Sequence, residues 1–380
     1  MRILFCGQSS YPNNNNAPTN RYIAIAKAMA FENEIIFLNR IPLLKNNYFS
    51  DNIEFKVIDV SNVKYRPENF LKRNFIKLFL PIFEFLTIWK LNKEKKIDWI
   101  NIYSQYFGLC IFYFILSKIF KFKTILHYVE IRSEFKHRNL FLKLNDFLYD
   151  NYSMFLFDRY LPISHFLDEY LKGKNINSKT LIIPPICDFD HFNKLNCSNN
   201  FDDHYFLYCG SSAYDDVIIF IIEAFEKLKT DDSIKLYLVL SGQISIRIKE
   251  LIEQNSGRIK LFSKLEYDKL ICLYKNALTL LIPLRNSKQD EARFPHKICE
   301  YLASKKIIIS TNFGEVKWYF KDMDNALIAN DYDVEAYSMK MEWVMSNMPN
   351  IKIIEEKAYK TGKKYFDINA YKEPIKDFLK

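Results

Sequence analysis

Apolar residues fall along this chain in short runs separated by longer mixed stretches, and the alternation repeats from end to end. In the first half the runs 2–6, 34–38, 55–58, 99–103, 124–128 and 159–163 have the length and the branched and aromatic content of buried strands. Between them the pattern turns helical: within 20–30, Ile23, Ala26, Lys27 and Ala30 recur at helical spacing. In the second half the strand-like runs are 205–209, 235–240, 258–262, 279–283, 306–310 and 326–329, with helices predicted over 217–229, 244–254, 267–277, 295–303 and 334–347.

Strand–helix alternation of this kind predicts parallel sheets covered on both faces, the α/β class. There are two such series, separated by the polar, Pro-, Asn- and Asp-rich stretch 184–203, which suits a linker. The expectation is two doubly wound, Rossmann-like domains, 1–190 and 201–364, facing across a cleft, with the last segment, 365–380, returning to brace the first. Ligands in such sheets bind at the carboxyl ends of strands. Glycine is scarce, at eight residues, and Gly7, Gly210, Gly242 and Gly314 each stand just past a strand-like run, where a strand turns toward a helix.

At 380 residues and 49% hydrophobic, the chain can build two ordinary cores. The abundance of Phe and Tyr, with Lys, Asn and Ile, fits an AT-rich genome as well as it fits chemistry. A net charge of +9 is compatible with an anionic partner or with a plain solvated surface. No nucleic-acid recognition module accompanies the charge, so nucleic acid is not an expected partner. Seven cysteines, odd in number and without a CxxC pair, read as small buried hydrophobes in a reducing compartment, and a zinc site is not expected. The first apolar run is too short for a signal peptide, and the most apolar window, 106–120, is shorter than the roughly 20 residues a bilayer span needs. The location expected is cytoplasmic, either soluble or peripheral on the inner face of the plasma membrane. The stretch 64–96 interleaves Lys and Arg with Phe and Trp. Two readings stand: an amphipathic surface for anionic lipid, or a core helix with a basic edge.

The densest chemistry is Arg293-Phe-Pro-His-Lys-Ile-Cys-Glu300. A strand ends at Pro283, a polar loop follows, and a helix is predicted to open near Pro295. Arg293 and Lys297 would oppose the dipole of that helix, which points to a shared anion such as a diphosphate, and Glu300 could accept hydrogen bonds from ribose hydroxyls. His127 closes the strand 124–128, with Glu130 three residues on. The histidine should point into the cleft, where it is either a ligand contact or a satisfied structural residue, and Glu130 could serve as a base or a hydroxyl ligand.

This set of segments resembles the retaining GT-B glycosyltransferases, the family 4-like group also called glycosyl transferases group 1. Their donor-site pattern is Glu-x-Phe-Gly-x-x-x-x-Glu followed by Ala-x-Gly-Lys-Pro-Val-Val. Here Phe294 and Glu300 match in spacing, and 301–310 resembles the continuation. The segments 161–171 and 181–192 are similar to the family's last N-domain unit and crossover, and 206–210 to its first C-domain strand. The departures are plain: Ala292 stands at the first motif Glu, Pro295 at the Gly, and Ser211-Ser-Ala-Tyr-Asp-Asp-Val217 where a Lys-Gly is frequent.

The resemblance implies an enzyme that transfers a glycosyl group with retention and needs no metal or cofactor beyond a nucleoside-diphosphate sugar. It implies donor contacts from Gly210, Ser211, Ser212, Arg293, Phe294, Pro295, His296, Lys297 and Glu300, with Arg293 or Lys297 supplying the missing charge. It implies catalytic roles for His127 and Glu130, and a phosphate and acceptor loop containing Gln8, Asn16 and Arg21. The acceptor implied is a glycan or lipid-linked saccharide in surface polysaccharide assembly. A sugar-nucleotide epimerase or a catalytically silent partner subunit is the alternative.

Overall fold

The computed structural model describes residues 1–8, 11, 17–40, 54–61, 68–135, 138–174, 176, 178–197, 204–229, 233–263 and 265–380. Two compact units result, Met1–Pro184 with Tyr371–Lys380, and Pro185–Ala370.

The first unit runs β1 (Arg2–Gly7), α1 (Ala17–Met29), β2 (Glu34–Asn39), β3 (Lys56–Asp59), α2 (Phe70–Glu94), β4 (Trp99–Tyr103), α3 (Phe107–Phe120), β5 (Lys123–Tyr128), α4 (Leu140–Tyr152), β6 (Arg159–Pro162), α5 (His165–Gly173) and β7 (Lys179–Thr180). All its strand pairings are parallel, in the order β3-β2-β1-β4-β5-β6-β7. The chain steps one way from β1 to β2 and the other way from β4 to β7. Right-handed crossovers therefore put α1 on one face and α2, α3, α4 and α5 on the other. Ile3, Leu4, Phe5 and Cys6 of β1 are wholly buried, as a central strand covered on both faces must be. The helix starts carry local signals: Asn69, Asn139 and Ser164 each accept backbone N–H bonds as N-caps.

The second unit begins with α6 (Phe189–Lys194) and continues β8 (His204–Ser211), α7 (Asp215–Glu226), β9 (Ile234–Ser241), α8 (Ile246–Gln254), β10 (Ile259–Phe262), α9 (Tyr267–Asn276), β11 (Thr279–Leu281), α10 (Lys288–Ala292), α11 (Lys297–Ala303), β12 (Ile308–Thr311), α12 (Val316–Tyr319), β13 (Leu327–Ala329), α13 (Val334–Ser346) and α14 (Met348–Tyr365). Its sheet is parallel, in the order β10-β9-β8-β11-β12-β13. The direction of travel reverses between β8 and β11, as it does between β1 and β4.

The expectation of two α/β domains, each built on its own parallel sheet, is what the chain adopts. Four details differ. The chain changes unit after Pro184 rather than near 190. The polar stretch is structured there because Phe189 and Phe192 are buried on α6, and because Cys187 N–H donates to Phe366 O at 3.0 Å while Ile368 N–H donates to Cys187 O at 3.1 Å. The return comes at Tyr371 rather than 365, since Phe366 still packs on Phe294, Tyr319 and Phe320 in the second unit. The helix expected over 295–303 is α11, which starts at Lys297, and an additional short helix, α10, precedes it, with Pro295 between the two. Finally, Cys197 and Cys272 form a disulfide, which corrects the reading of all seven cysteines as buried thiols. These two are only partly buried, where the crossover segment meets α9, whereas Cys6, Cys110, Cys187, Cys209 and Cys299 are free and buried.

After Tyr371, α15 (Lys372–Leu379) docks on α1 with Ile375, Phe378 and Leu379 buried. Lys179 Nζ donates to Asp377 O at 2.8 Å, and the Arg159 guanidinium lies over the Phe378 ring. No helix among the described residues is long and apolar enough to cross a membrane. Phe378→Ala is expected to lower the unfolding free energy of the first unit by about 3 kcal/mol. Urea unfolding followed by circular dichroism checks this, and an unchanged midpoint would mean that α15 is not docked there.

Candidate functional site

Each unit presents polar groups at the point where its strand order reverses, and the two sets are described separately. In the first unit, Gly7 ends β1 with φ of 110°, and a Cβ there would collide with the Tyr103 carbonyl oxygen. The close approach lets Gln8 N–H donate to Tyr103 O at 2.8 Å, and Gln105 N–H donates to the Gln8 side-chain carbonyl at 2.8 Å. The Gln105 side-chain amide donates to Glu130. Arg132 Nη1 donates to Glu130 Oε1 at 2.6 Å and to Gln105 Oε1 at 2.9 Å. Asp150 holds this turn by accepting from the N–H groups of Arg132 and Ser133 at 3.0 and 2.7 Å. Gln8 and Glu130 thus meet in one cluster, joined by Gln105 and Arg132. Arg132 Nε also lies 3.4 Å from Asp146 Oδ1. Burial alone would lower the Arg132 guanidinium, but Glu130 outweighs it and raises it. A carboxylate and two amides fixed by a guanidinium can recognise hydroxyl groups.

His127 sits elsewhere. It is 1% exposed, its ring edge-on to Tyr22 and Tyr103, with Nε2 2.7 Å from Asn101 Oδ1. Burial, then the nearby Arg21 charge, pushes its pKa far below the usual histidine value, so the ring is neutral. Its Nδ1 is buried with no hydrogen-bond partner among the described residues, so the ring is only half satisfied. Arg21 lies inside α1 rather than in the preceding loop, is 2% exposed, and donates from Nη1 to Pro184 O at 2.7 Å. Asn16 falls outside the described residues.

In the second unit, Gly210, Ser211 and Ser212 stand at the carboxyl end of β8. Ser212 N–H donates to Ser241 O at 2.9 Å, tying this turn to the end of β9. Gly242, with φ of 104°, would place a Cβ 2.6 Å from Ser212 Oγ, so the next turn must stay bare. Beyond β11, Arg285 meets Asp290 twice, Nε to Oδ2 at 2.9 Å and Nη2 to Oδ1 at 2.8 Å. Its N–H also donates to Asp290 Oδ2, and Arg293 Nη2 lies 2.6 Å from Asp290 Oδ1. Asp290 is fully buried; burial alone would raise its carboxyl, but Arg285 and Arg293 hold it below the usual range. Both guanidiniums remain partly exposed and lie over the Tyr214 ring, and Arg285 Nη1 reaches Asp216 Oδ2 at 2.7 Å.

The motif residues around them alternate in direction. Arg293, Pro295 and Lys297 are partly exposed. Phe294 is buried, stacked on Tyr319, so it serves the core rather than a ligand surface. Glu300 is 0% exposed. Its oxygens take Lys297 Nζ at 2.8 Å and the hydroxyls of Tyr267 and Tyr274 at 3.3 Å each. His296 Nδ1 stands 3.7 Å from Glu300 Oε1, and its Nε2 is buried with no partner among the described residues. Burial alone would raise Glu300, but Lys297 and then His296 outweigh it and hold the carboxyl at about 2. Burial would lower His296, yet Cys299 and Glu300 lift it to about 9. Glu300 therefore has no open face for ribose in this arrangement. Sequence reasoning missed Arg285, Asp290, Tyr214 and Gln105. For Arg285 the available signal was a cation two residues past the strand-ending Pro283. Among the described residues no group of three or more His, Cys, Asp or Glu side chains is placed to hold a metal ion.

Residues 195–361 match the sequence model of the family described as Glycosyl transferases group 1. No curated protein matches the chain. Solved structures with a similar fold include sucrose-phosphate synthase from Thermosynechococcus elongatus, at 13% identity and a TM-score of 0.73, covering 99% of this chain and 97% of that one. A glycosyltransferase from Rickettsia africae is 17% identical with a TM-score of 0.70, covering 100% and 97%. HepE from Anabaena, solved with UDP and glucose, is 14% identical with a TM-score of 0.69, covering 100% and 99%.

The Glu300 cluster makes a pH prediction. A carboxyl held at about 2 in the folded chain and at its ordinary value of 4.5 when unfolded stabilises the fold above 4.5, and this stability is lost as pH falls through that interval. Glu300→Gln is expected to flatten this acid limb in thermal unfolding, and to cost about 2 kcal/mol at neutral pH by leaving Lys297 unpaired. An acid limb as steep as that of the parent chain would contradict the pairing.

Proposed function

We propose, from the match of residues 195–361 to the family described as Glycosyl transferases group 1, that the chain moves a sugar from a nucleoside-diphosphate donor to a glycan or lipid-linked saccharide, with retention, in surface polysaccharide assembly. The observation that carries the donor half is the pair of guanidiniums, Arg285 and Arg293, held by buried Asp290 over Tyr214 at the strand reversal of the second unit. Two arginines fixed side by side suit the oxygens of a diphosphate. They stand in for the Lys-Gly that 211–217 lacks. Asp290 is consumed as their anchor, whereas Asp216 is more than half exposed, so its bond to Arg285 is the exchangeable one. In this reading a diphosphate oxygen displaces Asp216. As the diphosphate leaves, the arginines neutralise its growing charge, a role that requires no metal. Gly210, Ser211 and Ser212 line the same turn, whereas Lys297 of α11 is held on Glu300.

The acceptor half rests on Gln8, Gln105 and Glu130, whose donors and acceptors suit sugar hydroxyls. Glu130 positions the acceptor hydroxyl and takes its proton. His127 acts through Asn101 and its aromatic neighbours by shaping this strand end, not by touching the sugar. An anionic membrane surface near 64–96 and a place on the inner face of the plasma membrane complete the reading.

One observation favours a binding protein without transfer. The first motif carboxylate is replaced by Ala292, which is itself buried at 1% exposure. Incubating the protein with UDP-, GDP- and TDP-sugars alone separates the cases. Epimerised donor would overturn the transferase reading. For the donor site, Arg285→Ala and Arg293→Ala are each expected to weaken nucleoside-diphosphate binding by about tenfold or more in isothermal titration. Asp216→Asn should bind at least as tightly as the parent chain. Unchanged affinity in both arginine variants would show that the diphosphate lies elsewhere.

A further inference from the structure

The cysteines of the second unit divide by their surroundings. Cys187, Cys209 and Cys299 are free and buried, whereas Cys197 and Cys272 are bonded to each other and partly exposed. Their bond is the last of several ties that lay the segment 188–197 along α9. At the start of α9 the His191 ring stacks on Tyr267, with Nε2 3.4 Å from Asp268 Oδ1, and Phe192 meets the same tyrosine edge-on. Two turns later Lys275 Nζ donates to the carbonyls of Phe192 and Leu195 at 2.5 and 2.7 Å. The start of the segment is also anchored away from α9: Phe192 is buried, and Asn193 Nδ2 donates to the Tyr359 hydroxyl of α14 at 2.8 Å. Cleaving the disulfide would therefore free the end of the segment without opening the core beneath its start.

Thiol–disulfide exchange needs a reachable sulfur and a stabilised thiolate. Both sulfurs belong to partly exposed residues. On α9, Lys269, Cys272 and Lys275 follow one another at intervals of three residues, so they are neighbours on the helix surface. Burial, and then the charge of Lys305, hold the Lys275 ammonium below its usual value, so a second cation stands close by. Positive charge of this kind favours the thiolate. Burial, in contrast, pushes the Cys187 thiol far up. On the inner face of the plasma membrane, where the reading above puts the chain, thiols are kept reduced, and a disulfide is transient and regulatory rather than a permanent staple.

We infer that Cys197 and Cys272 form a reversible redox site, opened by a dithiol reductant and closed by a disulfide oxidant, that latches the segment 188–197 onto α9. In opening, a thiolate of the reductant attacks one sulfur, the S–S bond breaks, and its electron pair leaves on the other. The second thiol of the reductant then displaces the mixed disulfide. Each protein sulfur takes a proton given up by the reductant, which ends as a disulfide while the protein holds two thiols. Closing is the reverse exchange, with an oxidised glutathione-type disulfide taking the electrons. The consequence falls on α9, whose Tyr267 and Tyr274 hold Glu300 while His191 and Phe192 cover Tyr267. With the latch open, that cover loosens and the brace on α11 slackens. The regulatory sense rests on the location proposed above, whereas the test needs neither that location nor sugar transfer.

The test treats the folded full chain with dithiothreitol, labels it with iodoacetamide and reads the labels by peptide mass spectrometry. After reduction, Cys197 and Cys272 should label at least about tenfold faster than the five buried thiols. Oxidised glutathione should restore the bond and block the labelling. The far-ultraviolet circular dichroism should be the same in both forms. Hydrogen–deuterium exchange in peptides covering 188–197 and 267–276 should be at least about fivefold faster in the reduced chain, with a smaller rise over 297–303 and none in the first unit. The double variant Cys197→Ser with Cys272→Ser should exchange like the reduced chain whether or not dithiothreitol is present. A bond that resists dithiothreitol in the folded chain overturns the inference. So does simultaneous labelling of all seven cysteines, which would make the bond a staple whose loss unfolds the unit. Equal exchange in the oxidised and reduced chains would remove the latch as well.

Discussion

A parallel sheet can place consecutive strands only by right-handed crossovers, so a chain that reverses its direction of travel must send its helices to opposite faces. At the reversal the two departing connections diverge and leave the strand ends between them uncovered. Both sheets of this chain are built on that constraint, at β1/β4 and at β8/β11. The polar groups with functional potential are where it puts them. Gly7 and Gly242 are the local consequences: each lets a turn pass so close to its neighbour that no side chain fits. Gln8, Gln105 and Glu130 converge on the first reversal, and Arg285 and Arg293 on the second.

Burial decides what the charged residues at those points can do. A carboxylate out of water must be paired, and two of the buried ones in the second unit, Asp290 and Glu300, are paired for different purposes. Asp290 takes both arginines yet leaves them partly exposed, so it presents cations to solvent. Glu300 takes Lys297 and two tyrosine hydroxyls inside the core, so it fastens α11 to α9. Lys275 of α9 also donates to the carbonyls of Phe192 and Leu195 at 2.5 and 2.7 Å, and Cys272 of α9 is bonded to Cys197. The helix that braces Glu300 thereby also fastens the segment that enters the unit.

The strands were legible because a strand buried on both faces is a near-continuous apolar run, and β1, β4, β5, β8 and β9 are such runs. The edge strand β7 was not, because Lys179 and Thr180 carry no apolar signal. The segment 293–300 was found by motif spacing, but spacing cannot say which residues face inward. Phe294, His296 and Glu300 turned out to be interior, and Arg293 and Lys297 the partly exposed set. Asp290 was invisible as an anchor because its partners, Arg285 and Arg293, meet it only after α10 forms, and five residues between a strand and a proline read as loop. The disulfide joins residues 75 apart and has no local signature.

Hydrogen–deuterium exchange of the full chain, with and without UDP, tests the central claim most directly, because binding slows exchange where the ligand seats. If the second unit holds a nucleoside diphosphate at its strand reversal, protection will concentrate in peptides covering 210–217 and 285–297. Unchanged exchange in those peptides at saturating UDP, GDP and TDP, or protection confined to the first unit, would contradict it.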